Sequence, residues 1–493
     1  MPANLQGIAR VAVLGGGVIG AGWVARLLEN GLDVAVFDPA PDAERRLREA
    51  LANADAAYAK LFTAPRRAKG AVRMAASVAE ACTGADLIVE AVPERLDVKH
   101  RVYAEAEGAV RPDVLIASST SGLKPSDLQA PLRHPERLLV VHPFNPVYLL
   151  PVVEVVGGAK TSEDAIAKAM AFYPTLGMKP VRVRKEIEAF VADRLLEALW
   201  REALWLIQDG VCTTGELDDI VRYGFGLRWA QLGVFDTYRV AGGEAGMRHF
   251  MAQFGPCLKW PWTKLTDVPE FTEELVDLIA GQSDAQSGHI PIRELERIRD
   301  DNLVAIQKAL QATGWGAGEL LAQHEAALAK AAPEPDWTQP LPTFRIRVPV
   351  HWLDYNGHMT ESKFLEAFAL ATDGFMRMVG LGAEAVAAGH SLFTAETHIR
   401  HLGEAARDAE IRVHTRVVAA VGRKVHLWHE MREADRLLST GEHLLIHMDL
   451  QARAAAEPPP AVRARLDRLA AAHARLPPPE GLGRHVGEPR VRP

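Results

Sequence analysis

The feature that most constrains the fold is a glycine-rich turn near the start of the chain. The sequence VAVLGGGVIGAGW places an apolar run directly before Gly15, Gly17 and Gly20, and a helical pattern directly after them. This spacing at a strand-to-helix junction suits a dinucleotide: Gly15 allows the tight turn, Gly17 lets the backbone approach a pyrophosphate, and Gly20 allows close helix packing. We expect Val18 and Ile19, between the last two glycines, to lie in the same binding loop.

A carboxylate follows the second apolar run. Asp38 ends VAVFD, 23 residues after Gly15, where an acidic residue accepts a hydrogen bond from the ribose 2′-hydroxyl and repels a 2′-phosphate. The glycine turn and Asp38 together predict an NAD site that discriminates against NADP. A helix N-cap before Pro39 is a second interpretation of Asp38, and it is compatible with the first.

Apolar runs alternate with helical patterns through the first third of the chain. They lie at 11–14, 34–37, 87–89, 114–117, 138–141 and 152–156. This alternation indicates βαβ units and predicts an α/β, Rossmann-type domain with a parallel sheet over residues 1–186. The β runs then stop, and an all-α domain is predicted over 187–325 from amphipathic stretches at 189–208, 214–223, 243–253, 271–281 and 290–312.

A proline-rich segment, APEPDWTQPLP, indicates an extended linker over residues 326–342. After it, one long helical pattern at 360–379 and about five β runs predict an α+β domain over 343–452. The remaining residues, 453–493, are rich in Pro and Arg and predict a partly disordered tail with room for one short helix.

Composition excludes several classes of function. The formal net charge is −7 and no long basic stripe is present, so nucleic acid is not an expected partner. No apolar run approaches the roughly 20 residues of a membrane span, and no signal peptide is evident, so we expect no membrane partner and a cytoplasmic location. The three cysteines, Cys82, Cys212 and Cys257, are widely spaced, which favours neither disulfides nor a metal site.

Three further motifs follow the glycine turn in order. They are VEAVPERLDVK with Glu94 and Lys99, SSTSGL with Ser121, and HPFNPVYLLPVVEVV with His142 and Glu154. Over residues 8–312 the chain thereby resembles the 3-hydroxyacyl-CoA dehydrogenase family. The resemblance implies that His142 is the general base, that Glu154 orients it, and that Ser121 hydrogen-bonds the substrate oxygen. It also implies that Glu94 and Lys99 belong to the cofactor site.

The chemistry of the side chains supports these roles. Removing a hydroxyl proton as hydride leaves requires a base that titrates near neutral pH, and histidine is such a base. Glu154 lies among valines in a buried strand, where an unpaired carboxylate is costly, so we expect it to contact His142. The alternatives are a structural histidine at a strand end and, for Ser121, a serine that caps the turn before Gly122.

One position departs from that family. The sequence AFVADRLLEAL places Asp193, followed by Arg194, where the family has an asparagine early in the first helix of its second domain. A carboxylate beside the substrate suggests a cationic substrate or a rearranged hydrogen bond. Alternatively, Asp193 is an acidic residue that the dipole favours at a helix start.

Aromatic residues crowd the segment that follows, namely Phe225, Trp229, Phe235, Tyr238, Trp260 and Trp262. Aromatic rings bind quaternary ammonium ions through the ring quadrupole. The segment resembles that of the branch of the family acting on carnitine, which is 3-hydroxy-4-trimethylammonio-butanoate. A helical core or a dimer interface also contains such residues, and another 3-hydroxy acid or a 3-hydroxyacyl-CoA is the alternative substrate.

A second motif lies in the α+β domain. VHWLDYNGHMTESKFLEAF, with Asp354, Asn356, Gly357 and His358, resembles the hot-dog acyl-CoA thioesterases of the 4-hydroxybenzoyl-CoA type over residues 343–450. The resemblance implies that Asp354 acts as nucleophile or general base, with backbone N–H groups at the helix start stabilising the oxyanion. A turn-forming role for Asp354 is the alternative. Four histidines on β runs carry no metal-ligand signature and are predicted to be structural: His426, His429, His443 and His447.

Taken together, the resemblances imply an enzyme with two activities. They imply NAD-dependent oxidation of carnitine and hydrolysis of betainyl-CoA to glycine betaine, by a homodimer or higher homo-oligomer. The alternatives are a dehydrogenase fused to a general acyl-CoA thioesterase, and a non-enzymatic NAD-binding sensor or crystallin-like protein. The set Ser121, His142 and Glu154 argues against a protein that only binds.

Overall fold

The computed structural model describes residues 5–63, 67–241, 250–252, 263, 270 and 272–484. The chain forms two compact units, one made of residues up to Ala54 together with Lys69–His324, and one made of Asp55–Ala68 together with residues from Glu325 onward. Among the described residues, no helix is long and apolar enough to cross a lipid bilayer.

The first unit contains a sheet of eight strands among the described residues. They are β1 (Arg10–Leu14), β2 (Asp33–Phe37), β3 (Val72–Met74), β4 (Leu87–Glu90), β5 (Leu115–Ser118), β6 (Leu138–Pro143), β7 (Val152–Gly157) and β8 (Lys179–Val183). Their spatial order is β3-β2-β1-β4-β5-β6-β7-β8. The order reverses between β1 and β4, and ligands of α/β proteins bind at the carboxyl ends of strands at such a point.

Helices connect these strands, and the residues of the second helix from Asp55 onward belong to the second unit. The helices are α1 (Val18–Glu29), α2 (Ala43–Leu61), α3 (Val78–Cys82), α4 (Leu96–Glu107), α5 (Pro125–Leu128) and α6 (Glu163–Phe172). Alternate residues of β1 enter different apolar clusters: Val11 and Val13 pack into one, Ala12 and Leu14 into the other. A sheet that is buried on both faces explains why its strands appear as continuous apolar runs in the sequence.

The predicted parallel sheet is confirmed for six strands, from β3 to β6. The predicted parallel direction is wrong for β7, which runs antiparallel to β6. Strand β8 runs parallel to β7. Sequence analysis also missed β3 and β8. Both are partly exposed, and their sequences, VRM and KPVRV, lack a continuous apolar run.

A helical segment follows β8 and belongs to the same unit as far as His324, within its last helix. Its helices are α7 (Ala192–Gln208), α8 (Thr214–Ile220), α9 (Gly226–Ala241), α10 (Glu273–Ser287), α11 (Ile292–Thr313) and α12 (Ala317–Lys330). The predicted helix at 243–253 lies mostly outside the described residues, and α12 was not predicted. Because sheet and helices share one unit, their predicted separation at residue 186 stays a prediction.

The second unit contains an antiparallel sheet that packs against one long helix. Its elements are β9 (Leu341–Arg347), α13 (Glu361–Val379), α14 (Ala383–Ala387), β10 (His390–His401), β11 (Glu410–Val421), β12 (Lys424–Glu433), β13 (Arg436–Asp449), β14 (Ala454–Ala455) and α15 (Pro460–His473). The strand order is β10-β13-β12-β11-β9, and β14 pairs with β13. Phe364, Phe368 and Ala371 on α13 pack against the sheet, which confirms the predicted hot-dog architecture.

The predicted tail contains an ordered element. Helix α15 buries Val462, Leu466 and Leu469 in the core of the second unit. His473, at its end, is also fully buried: its Nδ1 accepts from the Val417 N–H at 2.9 Å, and its Nε2 lies 2.9 Å from the Gln339 carbonyl oxygen. The tail therefore contributes core residues as far as 473.

Candidate active sites

The glycine turn connects β1 to α1 at the carboxyl edge of the sheet. Gly15 has a φ of +99°, and a Cβ atom there would lie 2.4 Å from the Ala91 carbonyl oxygen. A Cβ at Gly20 would lie 1.8 Å from the Gly15 carbonyl oxygen, whereas a Cβ at Gly17 would meet nothing within 4 Å. The fold itself therefore requires glycine at 15 and 20, while Gly17 borders open space.

The start of α1 suits a dinucleotide phosphate. Gly17 is its N-cap and provides no side-chain hydrogen bond, and Val18, the first helical residue, is 70% exposed. Ile19 packs partly against the core. The first N–H groups of such a helix bind an anion readily, and a pyrophosphate fits because no Cβ occupies the space at Gly17.

Asp38 follows β2 and contacts the same turn. Its Oδ2 accepts from the Gly16 N–H at 2.7 Å, and its Oδ1 accepts from the Ala40 N–H at 2.9 Å. Helix α2 begins only at Ala43, so Asp38 caps a turn and not a helix. Each carboxylate oxygen can accept a second hydrogen bond, which is what a ribose hydroxyl requires.

His142 and Glu154 lie opposite each other on β6 and β7. The antiparallel register pairs the two residues, and the His142 Nδ1 lies 2.9 Å from the Glu154 Oε2. Each is 4% exposed. The predicted contact is confirmed, and it depends on the reversal of β7, which brings two side chains of one face into register.

The other oxygen of Glu154 reaches the helical segment. Its Oε1 accepts from the backbone N–H groups of Val191 at 3.0 Å and Ala192 at 3.1 Å, where α7 begins. Burial would raise the pKa of Glu154, but the hydrogen bonds from His142 and these two N–H groups outweigh it, so the pKa lies below its ordinary value. The carboxylate is therefore ionised at neutral pH and orients the imidazole.

Asp193 lies on the opposite side of the imidazole. Its Oδ2 is 3.9 Å from the His142 Nε2, and its side chain is 24% exposed. Burial raises the pKa of Asp193; His142 opposes the rise, and three further carboxylates add to it, those of Glu154, Glu197 and Glu94. As the second residue of α7, Asp193 also occupies the position that the helix dipole favours for an acid.

Glu94 fixes the backbone at Ser121. Its Oε1 accepts from the N–H groups of Ser121 at 3.1 Å and Gly122 at 3.0 Å, and from the Thr120 hydroxyl. Burial opposes ionisation of Glu94, but these bonds and the nearby Lys99 lower its pKa below the ordinary value. The Ser121 side chain is exposed, so a substrate oxygen can reach it.

Lys99 joins this loop to a network that sequence analysis missed. Its Nζ lies 2.7 Å from the Glu90 Oε1 and 3.4 Å from the Glu94 Oε2. The fully buried Glu90 also accepts from the hydroxyls of Tyr103 and Ser118, both at 2.6 Å. A glutamate ending the buried run LIVE, nine residues before a lysine, is the signal that could have revealed it. Lys99 is thus paired with two carboxylates, and its contact with a cofactor stays a prediction.

Four of the described aromatic residues of the helical segment form two close pairs. The ring centroids of Phe225 and Trp229 are 4.6 Å apart, and those of Tyr238 and Phe250 are 4.8 Å apart. Phe235 is 78% exposed. Trp260 and Trp262 lie outside the described residues, so an aromatic cage stays a prediction.

In the second unit, the motif around Asp354 forms a tight turn before α13. The Asp354 Oδ1 accepts from the N–H groups of Asn356 at 2.8 Å and His358 at 3.2 Å, and Gly357 has a φ of +81°. The His358 N–H contributes most to lowering the pKa of Asp354. Asp354 therefore holds the turn together, and its catalytic role stays a prediction. The side chain of Thr360, the N-cap of α13, makes no capping hydrogen bond. The N–H groups at the helix start can therefore bind an oxyanion.

The four histidines predicted to be structural lie in the sheet. Fully buried His429 contacts the hydroxyls of Thr415 at 2.8 Å and Thr372 at 3.2 Å, and His443 contacts Thr397 at 3.1 Å. His426 pairs with Glu442 and His447 with the Ala456 carbonyl. Burial lowers the pKa of His443 to about 4 and lowers the pKa of His429 well below its ordinary value, so these two imidazoles are neutral core groups.

Three parts of the chain match known protein families. Residues 10–187 match the family described as 3-hydroxyacyl-CoA dehydrogenase, NAD binding domain, and residues 190–271 match its C-terminal domain. Residues 348–466 match the thioesterase-like superfamily, whose span extends into the predicted tail.

Three similar proteins are informative. A Ruegeria pomeroyi protein named L-carnitine dehydrogenase/betainyl-CoA thioesterase is 56% identical and covers 97% of this chain and 99% of its own. A Mesorhizobium japonicum L-carnitine dehydrogenase is 62% identical over 66% of this chain and 91% of its own. The crystal structure of 5-formyl-3-hydroxy-2-methylpyridine 4-carboxylic acid 5-dehydrogenase, an NAD+-dependent dismutase, has a TM-score of 0.52 and 30% identity over 62% of this chain and 99% of that one. The chain therefore belongs to the family of fused proteins that join a 3-hydroxyacyl-CoA dehydrogenase-type L-carnitine dehydrogenase to a betainyl-CoA thioesterase.

Proposed function

We propose that this protein oxidises L-carnitine to 3-dehydrocarnitine with NAD, and hydrolyses betainyl-CoA to glycine betaine and CoA. The observation that carries the first activity is the imidazole of His142, which contacts Glu154 through Nδ1 at 2.9 Å and faces Asp193 through Nε2 at 3.9 Å. The relatives named for both activities, similar over 97% of the chain, support the pairing of the two.

His142 is the general base of the proposed oxidation. Its Nδ1–H donates to Glu154, so Nε2 carries the lone pair that takes the proton of the substrate hydroxyl. As that proton arrives, the ionised Glu154 stabilises the imidazolium. The Ser121 hydroxyl donates to the substrate oxygen. NAD, which the glycine turn and Asp38 would hold, would supply the hydride acceptor, so that the alcohol becomes a ketone with formation of NADH and one proton.

The preference for NAD over NADP rests on Asp38. Its carboxylate already accepts two backbone N–H groups, from Gly16 and Ala40, and this fixes its position at the end of β2. A 2′-phosphate placed there meets a second negative charge, whereas a 2′-hydroxyl donates to it. Gly15 and Gly17, together with Val18, Ile19 and Gly20 at the start of α1, would hold the pyrophosphate, and Glu94 and Lys99 would belong to the same cofactor site.

Asp354 carries the proposed hydrolysis. Its carboxylate is fixed by the turn and precedes the start of α13. As general base it activates water, or as nucleophile it attacks the thioester carbonyl itself, while helix N–H groups stabilise the oxyanion. In either route the carbonyl–sulfur bond breaks and CoA leaves as a thiol; in the nucleophile route, water then hydrolyses the mixed anhydride with Asp354 and releases the acid.

One experiment separates the two activities in the full-length protein. NADH absorbance is followed with NAD and L-carnitine, and released thiol is followed with betainyl-CoA. We expect His142→Ala to abolish only the first signal and Asp354→Ala only the second. A panel of other 3-hydroxy acids, 3-hydroxyacyl-CoAs and acyl-CoAs tests the alternative substrates. NAD binding without oxidation of any member, and without any hydrolysis, would identify a sensor and refute the proposal.

We also propose a homodimer or higher homo-oligomer, located in the cytoplasm with the NAD and CoA pools. Helix α7 leaves Leu195, Leu196, Leu199 and Trp200 between 39% and 61% exposed. An apolar surface of this kind commonly forms an interface, and a second copy is the usual partner. Light scattering should give at least twice the chain mass, and Trp200→Glu should shift it toward the monomer; a wild-type monomer would contradict this assignment.

A further inference from the structure

We propose that Asp193 is the residue that selects a cationic substrate, by placing its carboxylate against the trimethylammonium group beside the reacting carbon. This inference rests on the proposed oxidation of carnitine. It assigns to one side chain the specificity that separates carnitine from a neutral 3-hydroxy acid.

The geometry places Asp193 on the substrate side of the base. Glu154 occupies the Nδ1 side of the His142 ring at 2.9 Å, whereas Asp193 faces Nε2 at 3.9 Å. The second distance is too long for a direct hydrogen bond. A hydroxyl that donates to Nε2 must therefore lie next to the Asp193 carboxylate.

The chemistry of carnitine fits that gap. Its quaternary nitrogen is separated from the carbinol carbon by a single methylene group. A carboxylate beside the hydroxyl is consequently also beside the cation. Positive charge develops on the carbinol carbon as hydride leaves, so a neighbouring cation raises the free energy of the transition state. A carboxylate beside that cation lowers it again.

The charges around Asp193 point the same way. Three other carboxylates act on it, those of Glu94, Glu154 and Glu197. The buried Lys99 lies between Glu90 and Glu94, and its positive charge offsets the charge of these two carboxylates. Negative charge therefore remains at the open side of His142, and a bound cation relieves the repulsion that a neutral substrate would leave in place.

The test compares L-carnitine with its carbon isostere, 3-hydroxy-5,5-dimethylhexanoate, in which an uncharged tert-butyl group replaces trimethylammonium and the carboxylate is kept. We expect Asp193→Asn to lower kcat/KM for L-carnitine by roughly 10- to 100-fold, as expected for a charge pair about 4 Å apart at a partly exposed site. The isostere should change by less than about 3-fold. Asp164→Asn, the same change at the second position of α6, where the side chain is 73% exposed, is the matched control and should alter the ratio of the two substrates little.

Each result has a distinct meaning. Equal losses for both substrates in Asp193→Asn would overturn the inference and leave the proposed oxidation standing. If the wild-type protein oxidises neither substrate, the proposed oxidation itself fails. Should Asp193→Asn lose its melting transition or NAD binding, inhibition of the wild type decides: tetramethylammonium should compete with L-carnitine, and neutral tert-butanol should not. Equal inhibition by the two would overturn the inference.

Discussion

Replacing Glu154 by glutamine tests the link between the base and its partner most directly. Three donors surround the carboxylate: the Nδ1–H of His142 and the backbone N–H groups of Val191 and Ala192, at 2.9, 3.0 and 3.1 Å. A glutamine amide offers one oxygen and one NH2 group. The backbone donors cannot change, so the amide oxygen must face them and the NH2 group must face His142.

This arrangement moves the proton of the imidazole. With an NH2 group against it, Nδ1 must become an acceptor, and the proton moves to Nε2, the atom that should take the substrate proton. The variant thereby loses the base and the stabilisation of imidazolium. We expect turnover to fall by about 10²- to 10⁴-fold, which corresponds to about 2.7 to 5.4 kcal/mol.

The assay is NADH formation from L-carnitine at saturating NAD, together with NAD affinity and the melting temperature. Both of the latter should stay close to wild type, since the amide oxygen still satisfies the start of α7. Glu197→Gln serves as control because it makes the same chemical change without contact to the imidazole. Turnover of Glu154→Gln above about half that of wild type would refute the argument.

Three further predictions concern other parts of the chain. Asp38→Ala should loosen NAD and reduce the NAD-to-NADP ratio of kcat/KM by at least about 10-fold; an unchanged ratio would place the discrimination elsewhere. Gly17→Ala should keep the melting temperature while weakening NAD, because its Cβ meets nothing within 4 Å, whereas Gly20→Ala, with its Cβ 1.8 Å from the Gly15 carbonyl oxygen, should destabilise the fold; equal effects in calorimetry and cofactor titration would contradict this. Between pH 6.5 and 4 the unfolded chain binds a proton at His443 that the folded chain does not, since burial lowers its pKa to about 4. As the pH drops from 6.5 to 4, the free energy of unfolding should therefore decrease by up to about 3 kcal/mol. Denaturant titration of His443→Gln should show a smaller decrease over the same range.

Local patterns in the sequence were sufficient for the parts of the fold that depend on neighbouring residues. The glycine turn, Asp38 and the apolar runs of the buried strands are of this kind, and so is the turn at Asp354. The contact of His142 with Glu154 was predictable because a buried carboxylate needs a partner. The direction of β7, which brings the two into register, was not predictable from an apolar run.

Each feature that the sequence did not reveal has its own physical cause. Val191 and Ala192 bind Glu154 through backbone N–H groups. Every residue except proline carries such a group, so no sequence pattern reveals the contact. Glu90 was overlooked because a charged residue after an apolar run usually belongs to a loop. The tail was expected to have room for one short helix, but the burial of Val462, Leu466 and Leu469 was not predicted, because arginines and prolines around them lower the apolar content of the segment.

The shared carboxylate of Glu154 has a consequence for redesigning the enzyme. Because it binds the imidazole with one oxygen and the start of α7 with the other, the position of Asp193 on that helix is tied to the position of the base. Shifting the helix to accommodate a larger substrate would misalign the proton acceptor at the same time. New substrates are therefore better sought by exchanging the side chain at 193 than by altering the loop that leads into the helix.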